Sequence, residues 1–326
     1  MPPPTPRNWS APESRDDLAR ILSILRGGGR IEPGDPFPGD PVDLRGLSFP
    51  SARTLRKTGR GAGTAVEAFK ARFADVTLVR ADLSGASLSA SEWTNAVFVE
   101  TQFRGTRLDK ARFLGCRFER CRFDAADLHS ASFSRDGNGG ETQIERTSFR
   151  DADLRRVEWK QAVLKGVDLT GAKLERAEFQ QSLLEGVTLA GLVSEFRIIG
   201  SREEPDRNAP KIDASAARLF GLRVGRGVSL AGVALPEDGS VAILSTGGLP
   251  LLKAASEKDF KEAEPVVKAL EEQFGTPPPD APPGGETRGQ AVVTADWVKG
   301  LTRGVTREAA LATVKRIARL MRDGIG

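Results

Sequence analysis

From Phe73 to Phe133 every fifth residue is large and apolar: Phe73, Leu78, Leu83, Leu88, Trp93, Phe98, Phe103, Leu108, Phe113, Phe118, Phe123, Leu128 and Phe133. Two positions before each stands a smaller side chain, from Ala71 and Val76 through Cys116 and Cys121 to Ala131. A period of five suits neither an α-helix, which repeats at 3.6, nor a strand, which repeats at 2. A fixed period of this kind marks a solenoid, whose units bury their apolar faces only against their neighbours. Four sides of five residues give a coil of twenty. Each side then turns one large and one small residue inward and leaves three in water.

The filler between the apolar positions is consistent with this. Ala-Asp-Leu recurs at 81–83, 126–128 and 152–154, with Ala-x-Phe and Ala-x-Leu between. This pattern resembles the pentapeptide-repeat family. The resemblance implies an all-β solenoid, a right-handed quadrilateral β-helix, here with an N-terminal capping helix and a small, mainly helical C-terminal region.

The period breaks at Ser134-Arg-Asp-Gly-Asn-Gly-Gly and resumes at Ile144, eleven residues after Phe133 rather than ten. One extra residue and three glycines predict a loop over 134–143, bulged out between stacked coils. The second run carries Phe149, Leu154, Trp159, Leu164, Leu169, Leu174, Phe179, Leu184 and Leu189. Of these, Phe149, Trp159, Leu169 and Phe179 join Phe73, Leu78, Leu83, Trp93, Phe103, Phe113, Phe123 and Phe133 as the expected core. Residues 42–235 are read as solenoid, restarting at Leu44 and Phe49, with a basic loop near 56–64 and a surface excursion over 193–211. A degenerate last coil is expected at Leu219, Val224, Leu230 and Leu235.

Residues 1–41 read as a disordered leader and a helix. Ser14 is the expected cap, Leu18, Ile21, Leu22 and Leu25 form the stripe, and Gly27 is the stop; a loop follows over 27–41. One short helix is marginal alone, so the raw end of the solenoid is its natural seat. From 236 the pattern changes to an appendage. Val241–Leu244 reads as a strand and 256–274 as a helix divided at Pro265. A proline-rich linker spans 275–289. Thr294 is expected to cap a short helix with Trp297 and Leu301. Thr306 caps a longer one with Ala310, Leu311, Val314, Ile317, Ala318 and Met321 on its apolar face. Arg316, Arg319 and Arg322 lie near its end, where the helix dipole favours cations. These helices either fold back as a cap or bind a partner; a homodimer through them is one form of the second reading.

Chemistry-bearing motifs are few. The 326 residues hold one histidine, two cysteines and no tyrosine. Cys116 and Cys121 fall on small inward positions and read as buried packing rather than a metal pair. Walker loops, HExxH motifs and paired catalytic carboxylates are absent from the sequence, so no catalytic residue, metal or cofactor is expected. The formal charge is +4, and residues 69–193 carry 19 Lys and Arg against 18 Asp and Glu. Residues twenty apart are vertical neighbours, so Arg104 should meet Asp124, Arg107 Asp127, Arg120 Glu100 and Arg112 Glu92. Nucleic acid is therefore not an expected partner. With no long apolar run or secretory pattern, a cytoplasmic location without membrane attachment is expected. Arg117, Arg122 and the loop residue Arg135, with Trp297, Arg316 and Arg319, are the candidate interaction residues.

The first functional reading is a non-enzymatic scaffold for a protein partner. The family resemblance implies a second. Some members protect DNA gyrase by mimicking DNA with an acidic rod, dimerise through a C-terminal helix and carry loops that touch the enzyme. Such mimicry needs a concentrated negative face, and the balanced charge here departs from that. A small-molecule or catalytic site at the C-terminal appendage is the third reading.

Overall fold

In the computed structural model the described residues are 14–34, 42–47, 71–201, 203–204, 207, 209–220, 222–225, 228–245, 248–274, 290–301 and 304–323. The expected disordered leader at 1–13, Phe49, the basic loop at 56–64 and the linker at 275–289 lie outside them. Two compact units divide the chain, residues 1–173 and 174–326.

In the first unit the backbone climbs a quadrilateral β-helix of parallel strands. One face runs Arg72–Ala74, Glu92–Thr94, Arg112–Leu114, Ser132–Ser134 and Glu158–Lys160. Their register sets Phe73 on Trp93, Phe113 on Phe133 and Phe133 on Trp159. The next face stacks Leu78, Phe98, Phe118, Ile144 and Leu164. The other two faces are joined by single bridges, such as Asp82 to Gln102 to Arg122 and Arg107 to Asp127. None of the twelve expected core residues is more than 2% exposed. Phe103 and Phe123 lie with ring centroids 4.4 Å apart and planes 2° from parallel, and Phe149 continues the column at 4.7 Å. Neighbouring columns meet edge to face, as Phe118 does with Phe123 at 5.5 Å. Both arrangements suit the ring quadrupole.

The small inward residues close the corners, and the polar ones find carbonyls. Thr101 Oγ1 donates to Leu78 O at 3.1 Å and Thr106 Oγ1 to Leu83 O at 2.8 Å. Cys116 Sγ reaches Trp93 O and Cys121 Sγ reaches Phe98 O, each at 3.3 Å. Burial pushes both thiols up to about 12, so they remain protonated packing groups. The recurrent aspartate has a local cause. Asp82 Oδ1 accepts from Ser84 N at 2.9 Å, and Asp127 and Asp153 do the same two residues on, as in an Asx turn.

Each corner lies two residues after a large core residue and takes the left-handed conformation. Asp75, Arg80, Asn95, Glu100, Arg120 and Ala125 have φ between 47° and 55°. Side chains other than glycine pay about 1 kcal/mol for this, and the stacked core on both sides holds them there. Gly171 has φ 71°, and a Cβ there would also push against the carboxylate of Asp151.

The loop after Phe133 corrects the sequence reading. Ile144 pairs with Phe118, the place residue 138 would take in an uninterrupted coil. Six residues are therefore inserted, not one. An insertion of one and an insertion of six look alike to a five-residue period. The loop is closed by its own bonds: Thr142 Oγ1 donates to Ser134 O at 2.7 Å, and Asp136 Oδ1 accepts from Asn138 N and Gly140 N.

Helix α1, Arg15–Gly27, buries Ile21 and Leu25 and packs against strand Arg72–Ala74. Ser14 is buried but forms no side-chain cap, and the turn at the other end falls to Gly28 at φ 70°. Part of the loop expected over 27–41 is a strand: Arg30 pairs with Thr77 and Ile31 with Leu78. Val42 then pairs with Ala81, so these described residues run along the strands of the next coil.

The second unit is also built on parallel strands, with longer sides and register shifts between Leu183–Ser194 and Lys211–Phe220. The excursion expected over 193–211 is shorter. Ser194 ends one strand, Phe196 and Ile198 are buried, and Arg197–Ile199 pairs with Glu178–Gln180. Arg207, 6% exposed, ties down what remains through Glu204 and the Gln181 carbonyl. Leu219, Val224 and Leu230 are buried, whereas Leu235 is only half-buried.

The appendage caps these strands. Strand Gln290–Thr294, which had no clear sequence signal, pairs antiparallel with both Arg223 and Val241–Ser245. Helices α2 (Leu249–Lys258), α3 (Glu264–Phe274), α4 (Ala295–Leu301) and α5 (Arg307–Asp323) share one core with that sheet, built on Leu244, Leu252, Phe260, Leu270, Val293 and Ile317. The helix expected over 256–274 is thus two, and the break falls at Asp259–Phe260. Pro265 sits in the first turn of α3, where its missing N–H costs nothing. Thr294 Oγ1 caps α4 through Trp297 N at 3.1 Å, and Thr306 Oγ1 caps α5 through Ala309 N at 3.2 Å. Asp296 in α4 takes two bonds of 2.6 Å from Arg218 of strand Lys211–Phe220. Those bonds hold its carboxyl below the usual range although burial acts against them.

Three outcomes are expected. Phe123→Ala removes a ring from the middle of a column and lowers unfolding free energy by about 3–5 kcal/mol in denaturant titration. Gly171→Ala destabilises, because a Cβ at φ 71° is strained and displaces the Asp151 carboxylate, whereas Ala125→Gly at an exposed left-handed corner raises stability by a few tenths to about 1 kcal/mol. Asp296→Asn costs about 1–3 kcal/mol at neutral pH. A lowered carboxylate pKa stabilises above the unfolded value and loses that contribution as pH falls through the folded one. The gap between wild type and Asp296→Asn should therefore close below about pH 4 in thermal melts.

Candidate interaction surfaces

The interior of the first unit is lined by stacked side chains, so its contact chemistry lies on the outward residues. Many of these form charge ladders between coils. Arg112 meets Glu92 at 2.9 Å, Arg72 meets the same Glu92 at 3.5 Å, Arg120 meets Glu100 at 2.9 Å and Arg104 meets Asp124 at 3.7 Å. Arg107 stands beside Asp127 in the ladder, without an ion pair to it among the described contacts. Arg150 pairs diagonally with Asp168 at 2.5 Å. Each exposed pair is worth at most about 1 kcal/mol. Where they form, the ladders alternate positive and negative charge up the face.

The candidate residues do not converge on one place. Arg117 pairs with Glu119 on its own strand at 3.4 Å, a neighbour that counting by twenty overlooks. Arg122 is exposed, and no ion pair to it is found among the described residues. Arg135 binds Glu141 at 2.6 Å across the base of its loop. In the second unit Trp297 is half-buried against the appendage core. Arg316 bonds Asp259 at 3.0 Å, and its guanidinium lies 4.3 Å from the centroid of the Phe260 ring. It therefore fastens α5 to the turn between α2 and α3 and offers little to a partner. Arg319 is exposed on α5.

The apolar face of α5 is already used. Ala310, Val314 and Ile317 are fully buried and Met321 is 8% exposed, all within the appendage core. Any association through this helix must use its polar side. That side carries Lys315, Arg319 and Arg322, all exposed. The sequence signal was available: these positions are spaced i, i+4 and i+7 and lie opposite the apolar stripe. No group of three or more His, Cys, Asp or Glu among the described residues could hold a metal ion. No described helix is long and apolar enough to cross a membrane.

Comparison with known proteins adds the following. A family model described as pentapeptide repeats matches residues 77–113, 102–135 and 146–186, in eight copies. HetL, a pentapeptide repeat protein involved in heterocyst differentiation regulation from the cyanobacterium Nostoc sp. strain PCC 7120, is 21% identical, with a TM-score of 0.35. That match covers 52% of this chain and 81% of HetL. QnrB1, a plasmid-mediated fluoroquinolone resistance protein, is 19% identical in a trypsin-treated form, with a TM-score of 0.25 over 56% of this chain and 90% of that one. Rfr23, from the cyanobacterium Cyanothece 51142, is 19% identical, with a TM-score of 0.14 over 45% and 82%. No curated protein matches the chain. Residues 77–135 and 146–186, whose repeats stack in register on four faces, thus carry pentapeptide repeats.

Proposed function

We propose that the chain is a non-enzymatic scaffold for protein–protein interaction, its coils serving as a stiff support and its appendage and loop as points of contact. The observation that carries this reading is the outer charge pattern. Arg72, Glu92 and Arg112 alternate up one face, and Glu100 with Arg120 and Arg104 with Asp124 do the same elsewhere. A surface that neutralises itself this way presents shape and a few uncompensated side chains rather than a field. It also weighs against topoisomerase protection by DNA mimicry, since a phosphate mimic needs a continuous acidic face to dock in a DNA-binding groove. A filled interior supports the non-enzymatic part, because substrate pockets are concave and roomy.

Two measurements test the proposal together. In a gyrase supercoiling assay containing a fluoroquinolone, added protein should leave the inhibitory drug concentration unchanged. In cross-linking mass spectrometry on lysate from the native host, the full chain should capture a defined protein through its exposed loop or appendage. Protection of gyrase, or capture of no protein at any surface, would overturn the scaffold reading.

A further inference from the structure

Helix α5 gathers several cations on one exposed face. Lys315, Arg319 and Arg322 are exposed on one helical face, with Ala312 and Glu308 behind them toward the N-terminus. No described residue forms an ion pair with any of the three. Arg316, beside them, is taken by Asp259 and Phe260. Asp238 feels the row weakly: its pKa is lowered mainly by Ser240 and to a lesser degree by Arg307 and Lys315, and the Lys315 stem runs over Gly239. Like charges at i, i+3 and i+4 on a helix destabilise it. The helix dipole offsets part of that, but only over the last turn. The helix thus carries a row of three cations on one face, about 10 Å long at 1.5 Å per residue.

We propose that this row is a docking strip for an acidic segment of a partner protein, a peptide or helix presenting carboxylates at matching i, i+4 and i+7 spacing. This deepens the scaffold reading and rests on it. Charge complementarity selects the occupant, and three features select its class. Three cations are too few for duplex DNA, whose specific binders contact about 6–10 phosphates. The row contains no aromatic side chain on which single-stranded bases could stack. The apolar face of α5 is buried in the appendage core, so the helix has nothing to insert into a bilayer. Because α5 is held by Val314, Ile317 and Met321, the strip is preorganised and docking orders little of the chain.

The test uses the full chain and a labelled helical peptide with glutamates at i, i+4 and i+7, titrated by fluorescence anisotropy at low ionic strength. Arg319→Glu/Arg322→Glu should weaken binding about tenfold, and raising the salt should weaken wild-type binding similarly. Arg122→Glu, a reversal of an exposed arginine on the coils, should leave it unchanged. Arg319→Gln/Arg322→Gln gives an intermediate loss and serves if the double reversal melts early. The proposal is overturned by absence of binding, by equal weakening in Arg122→Glu, or by tighter binding of a single-stranded oligonucleotide or phosphatidylserine vesicles than of the peptide. A partner cross-linked from lysate equally well by wild type and Arg319→Glu/Arg322→Glu removes the strip and leaves the scaffold reading standing.

Discussion

The contact on which the rest of this structure depends is the stacking of one large side chain on its counterpart a coil away. Phe103 on Phe123 on Phe149 is the clearest case, with successive ring centroids 4.4 and 4.7 Å apart. That spacing is the inter-strand distance of a β-sheet, about 4.8 Å. Backbone hydrogen bonding and ring stacking therefore demand the same rise, and neither is strained to suit the other. Several features follow from it. The corners must turn within two residues, which drives Asp75, Arg80 and Asn95 into the left-handed region. The second inward position must be small, and where it is polar it must reach a carbonyl, as Thr106 does. A coil leaves a strand edge that needs cover: strand Arg30–Ile31 pairs along one in the first unit, and in the second strand Gln290–Thr294 does so.

The same constraint separates what could be read from the sequence from what could not. The core was legible because a side chain at the wrong phase would face water, so every repeat states its own orientation. The length of the loop after Phe133 was not, because the period records position only to within a multiple of five. Strand Arg30–Ile31 was hidden because Ile31 is a lone apolar residue between Gly-rich and Pro-rich neighbours. Phe196 and Ile198 were assigned to an excursion because the sides there are longer and the register shifts. In the appendage, helix caps at Thr294 and Thr306 were visible as local signals. The strand that carries Val292 and Val293 was not, since its partners are distant in sequence.

Surface chemistry was legible to the extent that it obeys the coil. Arg112 with Glu92 and Arg120 with Glu100 follow from counting twenty. Arg117 with Glu119 and Arg150 with Asp168 do not, because they run along a strand or diagonally across two. The candidate arginines sort differently once geometry is considered. Arg135 and Arg316 are structural ties, while Arg122 and Arg319 remain on the outside. In the first unit the outward charges are partly paired between coils and the inward positions are filled by stacked side chains.

The central claim, that residues twenty apart are direct neighbours on one face, is most directly tested by oxidative cross-linking of cysteine pairs. Gln102 and Arg122 bridge in register, at a backbone separation of about 4.8 Å that a disulfide can span. Gln102→Cys/Arg122→Cys should close a disulfide readily under mild oxidation, with the native Cys116 and Cys121 buried and silent. Gln102→Cys/Arg107→Cys, closer in sequence but on adjoining faces, should not. Cross-linking of the second pair without the first would contradict the stacked square coil.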